Sequence, residues 1–111
     1  MTWSLDARIP LLIVQSAAAL HAELADDPAA MALEGFDASL PHAPACACCA
    51  GRTPAALALD ALFQGRVRGT LPWFARIIAL AESPEARAAV QTALCDDALT
   101  AARFRAAPST T

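Results

Sequence analysis

The sequence predicts a small α/β domain built on a mostly parallel sheet with flanking helices, and three observations carry that prediction. Two short apolar runs rich in β-branched residues, Ile9-Pro10-Leu11-Leu12-Ile13-Val14 and Phe74-Ala75-Arg76-Ile77-Ile78-Ala79-Leu80, read as strands buried on both faces. The stretches around them carry helical spacing and are long enough for crossover connections between parallel strands. Thr53-Pro54 and Ser83-Pro84 are helix starts, with a hydroxyl at the N-cap and proline at the first helical position. The abundance of alanine leaves an all-α arrangement as the alternative, because short apolar runs are ambiguous by periodicity alone.

In chain order, Ile9 to Val14 is the first strand, with Pro10 expected at its first residue or on an edge, since proline cannot donate to a ladder. Helical spacing follows from Ala17 to Leu24. Asp27-Pro28 predicts the cap of a second short helix ending at Gly35, and Phe36 to Leu40 predicts a brief strand. Pro41 and Pro44 enforce an extended lead into the segment beyond. From Thr53, Leu59, Leu62, Phe63 and Arg66 follow at helical spacing, and Gly65 and Gly69 mark a loop. The second strand comes next, and Ser83 then caps a helix expected to break near Cys95-Asp96, where Asp96 caps a last short helix through Arg105. Residues 1–106 thus read as a single domain and 107–111 as a flexible tail.

An apolar fraction of 57% in 111 residues is ample for one core, which Ala, Leu, Ile and Val must supply because aromatics are only 5% and tyrosine is absent. The net charge is −3, with arginine as the only basic side chain apart from two histidines, and the arginines are dispersed. That distribution argues against nucleic acid as a partner. No stretch reaches the ~20 apolar residues of a membrane span. The leader before Ile9 balances Asp6 against Arg8, and Pro10 interrupts the apolar run, so a secretory signal is not supported.

The most specific feature is Cys46-Ala47-Cys48-Cys49, three thiols in four residues, with Arg52 close behind. Adjacent cysteines bridge poorly, so a reduced, cytoplasmic setting is expected. One tetrahedral soft ion can take all three sulfurs, and zinc is the natural choice for thiolate ligands. His42, four residues before Cys46, is the candidate fourth ligand, with a solvated loop histidine as the plain alternative. Cys46 and Cys49 also have the spacing of a redox Cys-x-x-Cys pair, and the extra thiol of Cys48 favours a metal instead. Arg52 is expected either to neutralise the thiolates or to be solvated at the helix start. Cys95 is expected on the apolar side of its helix, and His21 on the surface. Asp26-Asp27 and Asp96-Asp97 resemble paired active-site carboxylates but occur where helices begin, so capping accounts for them. Ser16, Ser39 and Ser83 lack the glycine context of a hydrolase nucleophile.

The order of parts, with Cys46, Cys48, Cys49 and Arg52 as its sharpest element and Leu99-Thr100-Ala101-Ala102-Arg103-Phe104-Arg105 as support, resembles the middle of the G domain of the CobW-type metallochaperone GTPases. The likeness covers roughly Ile9 to Arg105. It implies a truncated sheet of the P-loop NTPase kind, zinc or a related divalent metal on the three cysteines, and a role as metal carrier or accessory, alone as a homodimer or with a larger CobW-type partner. The departures are specific. With no lysine and no asparagine, the chain cannot form a Walker A loop or the family's guanine-reading motif. Gln15-Ser16-Ala17 replaces the family's Asn-Glu-Phe-Gly continuation, Glu82-Ser83-Pro84 replaces its glycine-containing switch, and Ala45 stands where a glycine precedes the first cysteine. The expectation is a metal-binding protein and not an enzyme; the alternatives are an interaction fragment with unused cysteines, or GTP hydrolysis completed by another chain.

Overall fold

The structure is a computed structural model that describes residues 7–36 and 52–107. Four parallel strands lie in the order β2-β3-β1-β4, where β1 is Ile9–Val14, β2 Ala30–Leu33, β3 Arg76–Leu80 and β4 Phe104–Ala106. Helix α1, Ala17–Asp26, follows β1; α2, Pro54–Arg68, precedes β3; α3, Pro84–Asp96, and α4, Ala98–Arg103, connect β3 to β4. The α/β reading therefore holds, and the all-α alternative does not.

Side-chain alternation sorts the core into two layers, one on each face of the sheet. Leu11, Ile77, Ala79 and Leu33 face a large cluster completed by Ala55, Ala56 and Leu59 of α2 and Val90 and Ala93 of α3. Val14 and Ile78 face the opposite way onto Leu20 of α1, with Leu12, Leu24 and Leu80 packed around them. The direction of each connection accounts for this division. The step from β1 to β2 crosses the sheet one way and puts α1 on one face, whereas the steps to β3 and β4 return the other way with α2 and α3 on the opposite face. A single crossover handedness requires this arrangement.

Two helix starts follow caps read from the sequence, at Thr53 and Ser83, and Ser16 is a third cap that the structure adds. The hydroxyls of Ser16, Thr53 and Ser83 accept hydrogen bonds from the backbone N–H groups of Ala19, Ala56 and Ala86. Contrary to expectation, Pro10 is the second residue of a central strand and sits opposite Arg105 of β4. The ladder to β3 begins one residue later at Leu11↔Ile77, so the donor that Pro10 lacks on the β3 side would fall before that ladder.

Three further expectations are corrected, and another falls mostly outside the described residues. Asp27-Pro28 does not start a helix: the Asp27 carboxylate accepts from Ala29 N–H and its carbonyl from Ala30 N–H, a turn that leads directly into β2. The strand expected at Phe36 to Leu40 lies, beyond Phe36, outside the described residues, and Phe36 itself follows β2. Gly65 is a buried helical residue, not a loop marker; α2 runs on to Arg68 and closes on Gly69 at φ 79°. Finally, Asp97, not Asp96, caps α4, and the chain then enters β4 where only helix was expected. Of the predicted tail, Ala107 still donates to the Leu11 carbonyl at 2.8 Å, and residues 108–111 lie outside the described residues.

Candidate functional site

The four candidate metal ligands, His42, Cys46, Cys48 and Cys49, lie outside the described residues. What the structure places is the pair of anchors on either side of them. Upstream, β2 ends at Leu33 and Phe36 packs against the larger core, with Gly35 between them at φ 71°, a left-handed conformation suited to glycine. Downstream, Arg52 is fixed immediately before α2.

Arg52 is not simply solvated at the helix start: among the described residues it pairs with two carboxylates. Its Nε and Nη2 donate to the two carboxylate oxygens of Asp97 at 2.8 and 3.1 Å, a side-on bidentate pair, and its Nη1 lies 3.7 Å from Asp60. Asp60 in turn accepts from Arg103, whose guanidinium stacks over Phe63 at 4.3 Å. Asp97 does more than pair: its Oδ1 accepts from the backbone N–H and the hydroxyl of Thr100, capping α4. The chain behind Cys49 is thus tied to α2, to the α3–α4 junction and to the end of α4 through a single alternating network of two arginines and two aspartates.

The electrostatics follow from that geometry. Burial alone pushes the Asp97 carboxyl up, but the hydrogen bonds from Arg52 and Thr100 and the nearby positive charge outweigh it, and the group is held below its ordinary range. The Asp97 hydrogen bond raises Arg52 further above its usual range against the opposing effect of burial. A shallow cavity of about 270 Å³ opens beside the pair, lined by Arg52, Thr53, Asp96 and Asp97 among others.

A second location follows from topology. β1 and β3 are neighbours whose crossovers leave for opposite faces, the switch point at which open α/β sheets hold ligands outside their carboxyl ends. Here that crevice is bounded by Gln15-Ser16 and Ala81-Glu82-Ser83. It is closely tied, with Ala81 N–H donating to the Val14 carbonyl at 2.9 Å and both serine hydroxyls used as caps. Only two residues join β1 to α1, so no glycine-rich phosphate loop fits there. The Arg52–Asp97 network lies at the far end of α3, about 20 Å away by the rise of a 13-residue helix.

Among the described residues, no three His, Cys, Asp or Glu side chains form a group able to hold a metal ion. Cys95, expected on the buried side of its helix, is exposed. Val90 and Ala93 define the inward face of α3, and Cys95, five residues after Val90, is turned about 140° away from it. His21 is on the surface, as expected. No described helix is long and apolar enough to cross a membrane. Sequence reasoning missed Asp60 and Asp97 as partners of Arg52, because the contacts join positions 52, 60 and 97 through packing that no local pattern encodes. Set against known proteins, the chain matches no family model, no curated protein and no solved structure.

Proposed function

We propose that this chain is a divalent-metal-binding protein, a carrier or accessory of the CobW type without GTPase activity of its own. It takes zinc or a similar ion on Cys46, Cys48 and Cys49, with His42 as the fourth ligand. The observation that carries the reading is the density of thiols: three in four residues, a donor set that suits a soft, tetrahedrally coordinated ion. The absence of any lysine separates this function from nucleotide hydrolysis, since the phosphate-binding lysine has no substitute in the chain. Arg52 gives further support of a different kind. With its charge committed to Asp97 and Asp60, it positions the chain three residues beyond Cys49 and leaves the thiolates to be neutralised by the ion itself.

The test is metal content. Protein purified without chelator, or reconstituted with zinc and desalted, should carry one zinc per chain by mass spectrometry, because clustered thiolates share one ion. Cys48→Ser removes one of few ligands and should lower the zinc content sharply, and binding to the parent chain should weaken as pH falls and protons compete for the sulfurs. Zinc content unaffected by Cys48→Ser, or no zinc at all, would leave the interaction-fragment reading in its place.

A further inference from the structure

At the amino edge of the sheet, remote from the carboxyl-end crevice, a cavity of about 490 Å³ lies between α2, the end of α4 and the start of β1. Its apolar lining is Ile9, Phe63 and Ala102, and three of the chain's arginines, Arg8, Arg66 and Arg103, line it as well. No carboxylate lines it. In a protein whose net charge is −3, three guanidinium groups converging on one cavity call for a cause.

Two of the three arginines are partly accounted for. Arg103 pairs with Asp60 and stacks on Phe63, and Arg8 donates to the carbonyl of Ala101 at 3.4 Å. Arg66 is different. Its Nε and Nη1 are buried and have no hydrogen-bond partner. Burial also depresses its proton affinity, the cost of a cation removed from water without a counter-charge.

The ordinary explanations for such a residue fail here. An arginine in the last turn of a helix commonly satisfies the free carbonyls, but the Gly65 carbonyl is already taken by the N–H groups of Gly69, Thr70 and Leu71. The guanidinium also lies 3.7 Å above the ring centroid of Trp73 and 5.3 Å from that of Phe74. Stacking satisfies the face of the cation and leaves the Nε and Nη1 donors pointing in the guanidinium plane, where an acceptor for them is missing.

We propose that this cavity is a binding site for a small organic oxyanion, a carboxylate or phosphate monoester with an apolar body. The acid group binds at Arg66, with Arg8 and Arg103 adding positive potential, and the apolar body lies on Ile9, Phe63 and Ala102. The volume is in the usual range for small-molecule sites, roughly 300 to 1,000 Å³. An apolar lining with a few convergent polar groups is the pattern such sites share. This site is independent of the cysteines, so either assignment stands or falls without the other.

Titration calorimetry on the full chain tests it, with benzoate, phenyl phosphate, inorganic phosphate and uncharged benzyl alcohol as probes. Trp73 emission in a Trp3→Phe background reports on the site itself, because Trp73 is the ring stacked on Arg66. Saturable binding of benzoate or phenyl phosphate at millimolar concentration or below is expected, and which of the two binds better identifies the acid class. Inorganic phosphate should bind more weakly and benzyl alcohol not at all. Arg66→Met should weaken binding by about tenfold or more, as expected for loss of a charged hydrogen bond. Arg66→Lys, which keeps the charge but loses the fork, should fall between them, and it supplies the comparison if the methionine variant does not fold. Arg68→Gln, on an exposed position of the same helix, should have little effect. No saturable binding of either acid, or equal losses in the Arg66 and Arg68 variants, would overturn the site.

Discussion

Asp97 joins two structural roles, since its Oδ1 caps α4 by accepting from the backbone N–H and hydroxyl of Thr100 and its carboxylate holds Arg52. Asp97→Ala should therefore cost about 2 to 3 kcal/mol, combining a lost helix cap with a lost charged hydrogen bond. Denaturant titration at neutral pH measures it, and a loss below ~0.5 kcal/mol, the range of an ordinary surface change, would contradict the network. The pH dependence has a definite sign. The folded-state carboxyl is held below its ordinary 3.8, so its contribution is fully present above that value and disappears as pH falls through the lower folded value. Asp97→Asn should accordingly flatten the acid limb of the stability profile below about pH 4 while leaving the neutral-to-alkaline limb unchanged in shape. Gly65 is a second informative position. A Cβ there would sit 2.6 Å from Cδ1 and 2.7 Å from Cγ of Leu71, so Leu71 must turn away. Gly65→Ala should destabilise by about 1 kcal/mol despite better helix propensity, and should become stabilising in a Leu71→Ala background. Additive effects in that double-mutant cycle would show that the contact is not what selects glycine. At this scale the sequence was legible where a cap carries a double local signal: Thr53 and Ser83 each put a hydroxyl directly before a proline, whereas the cap at Ser16, with no proline behind it, was not read. It was not legible for Arg52, whose partners lie 8 and 45 positions away.

At the scale of elements, what separated correct from incorrect readings was length and where the stabilising partner sits in the sequence. β1, with six residues in a continuous apolar run half of which is β-branched, could be recognised alone, as could α2 and α3 with their caps. β2 and β4 have four and three residues, and their strand character comes from pairing with β3 and β1. For β2 the local signal was also misleading, because an aspartate before proline suits a turn as well as a helix cap. β4 depends on Phe104, which pairs with Ile9, is 1% exposed and meets Phe63 edge-on at 6.2 Å between ring centroids. Phe104→Ala should cost about 3 to 5 kcal/mol, as for a large aromatic removed from a closed core. Hydrogen exchange should show the Ala107 amide losing protection first, since its bond to Leu11 is the last rung of the β4 ladder. Protection unchanged in the variant would mean that β4 is held by its backbone pairing and not by its anchor.

For the whole molecule, the question is what becomes of a four-stranded parallel sheet whose two edge strands, β2 and β4, pair with no further strand among the described residues. Both faces are covered, one by α1 and the other by α2 and α3, so neither apolar face of the sheet is left bare. The edges are another matter: β2 and β4 bound the sheet, and among the described residues no further strand pairs with either. Short edge strands limit templated pairing, and β4 is short enough to be poor at it. β2 is the more competent edge, and it leads through Phe36 toward the segment bearing His42 and the cysteines. On the proposed function, an ion bound by three thiolates of one chain keeps a coordination position that a second chain's ligand can fill. Self-association is therefore expected at micromolar concentration, strengthened by zinc, and multi-angle light scattering with and without the metal measures both effects. A Cys46→Ser, Cys48→Ser, Cys49→Ser variant should keep the zinc-independent part and lose the increment. A monomer under all conditions would show that the short edges already suffice to keep the chain apart, leaving any fourth ligand to His42 or to another protein.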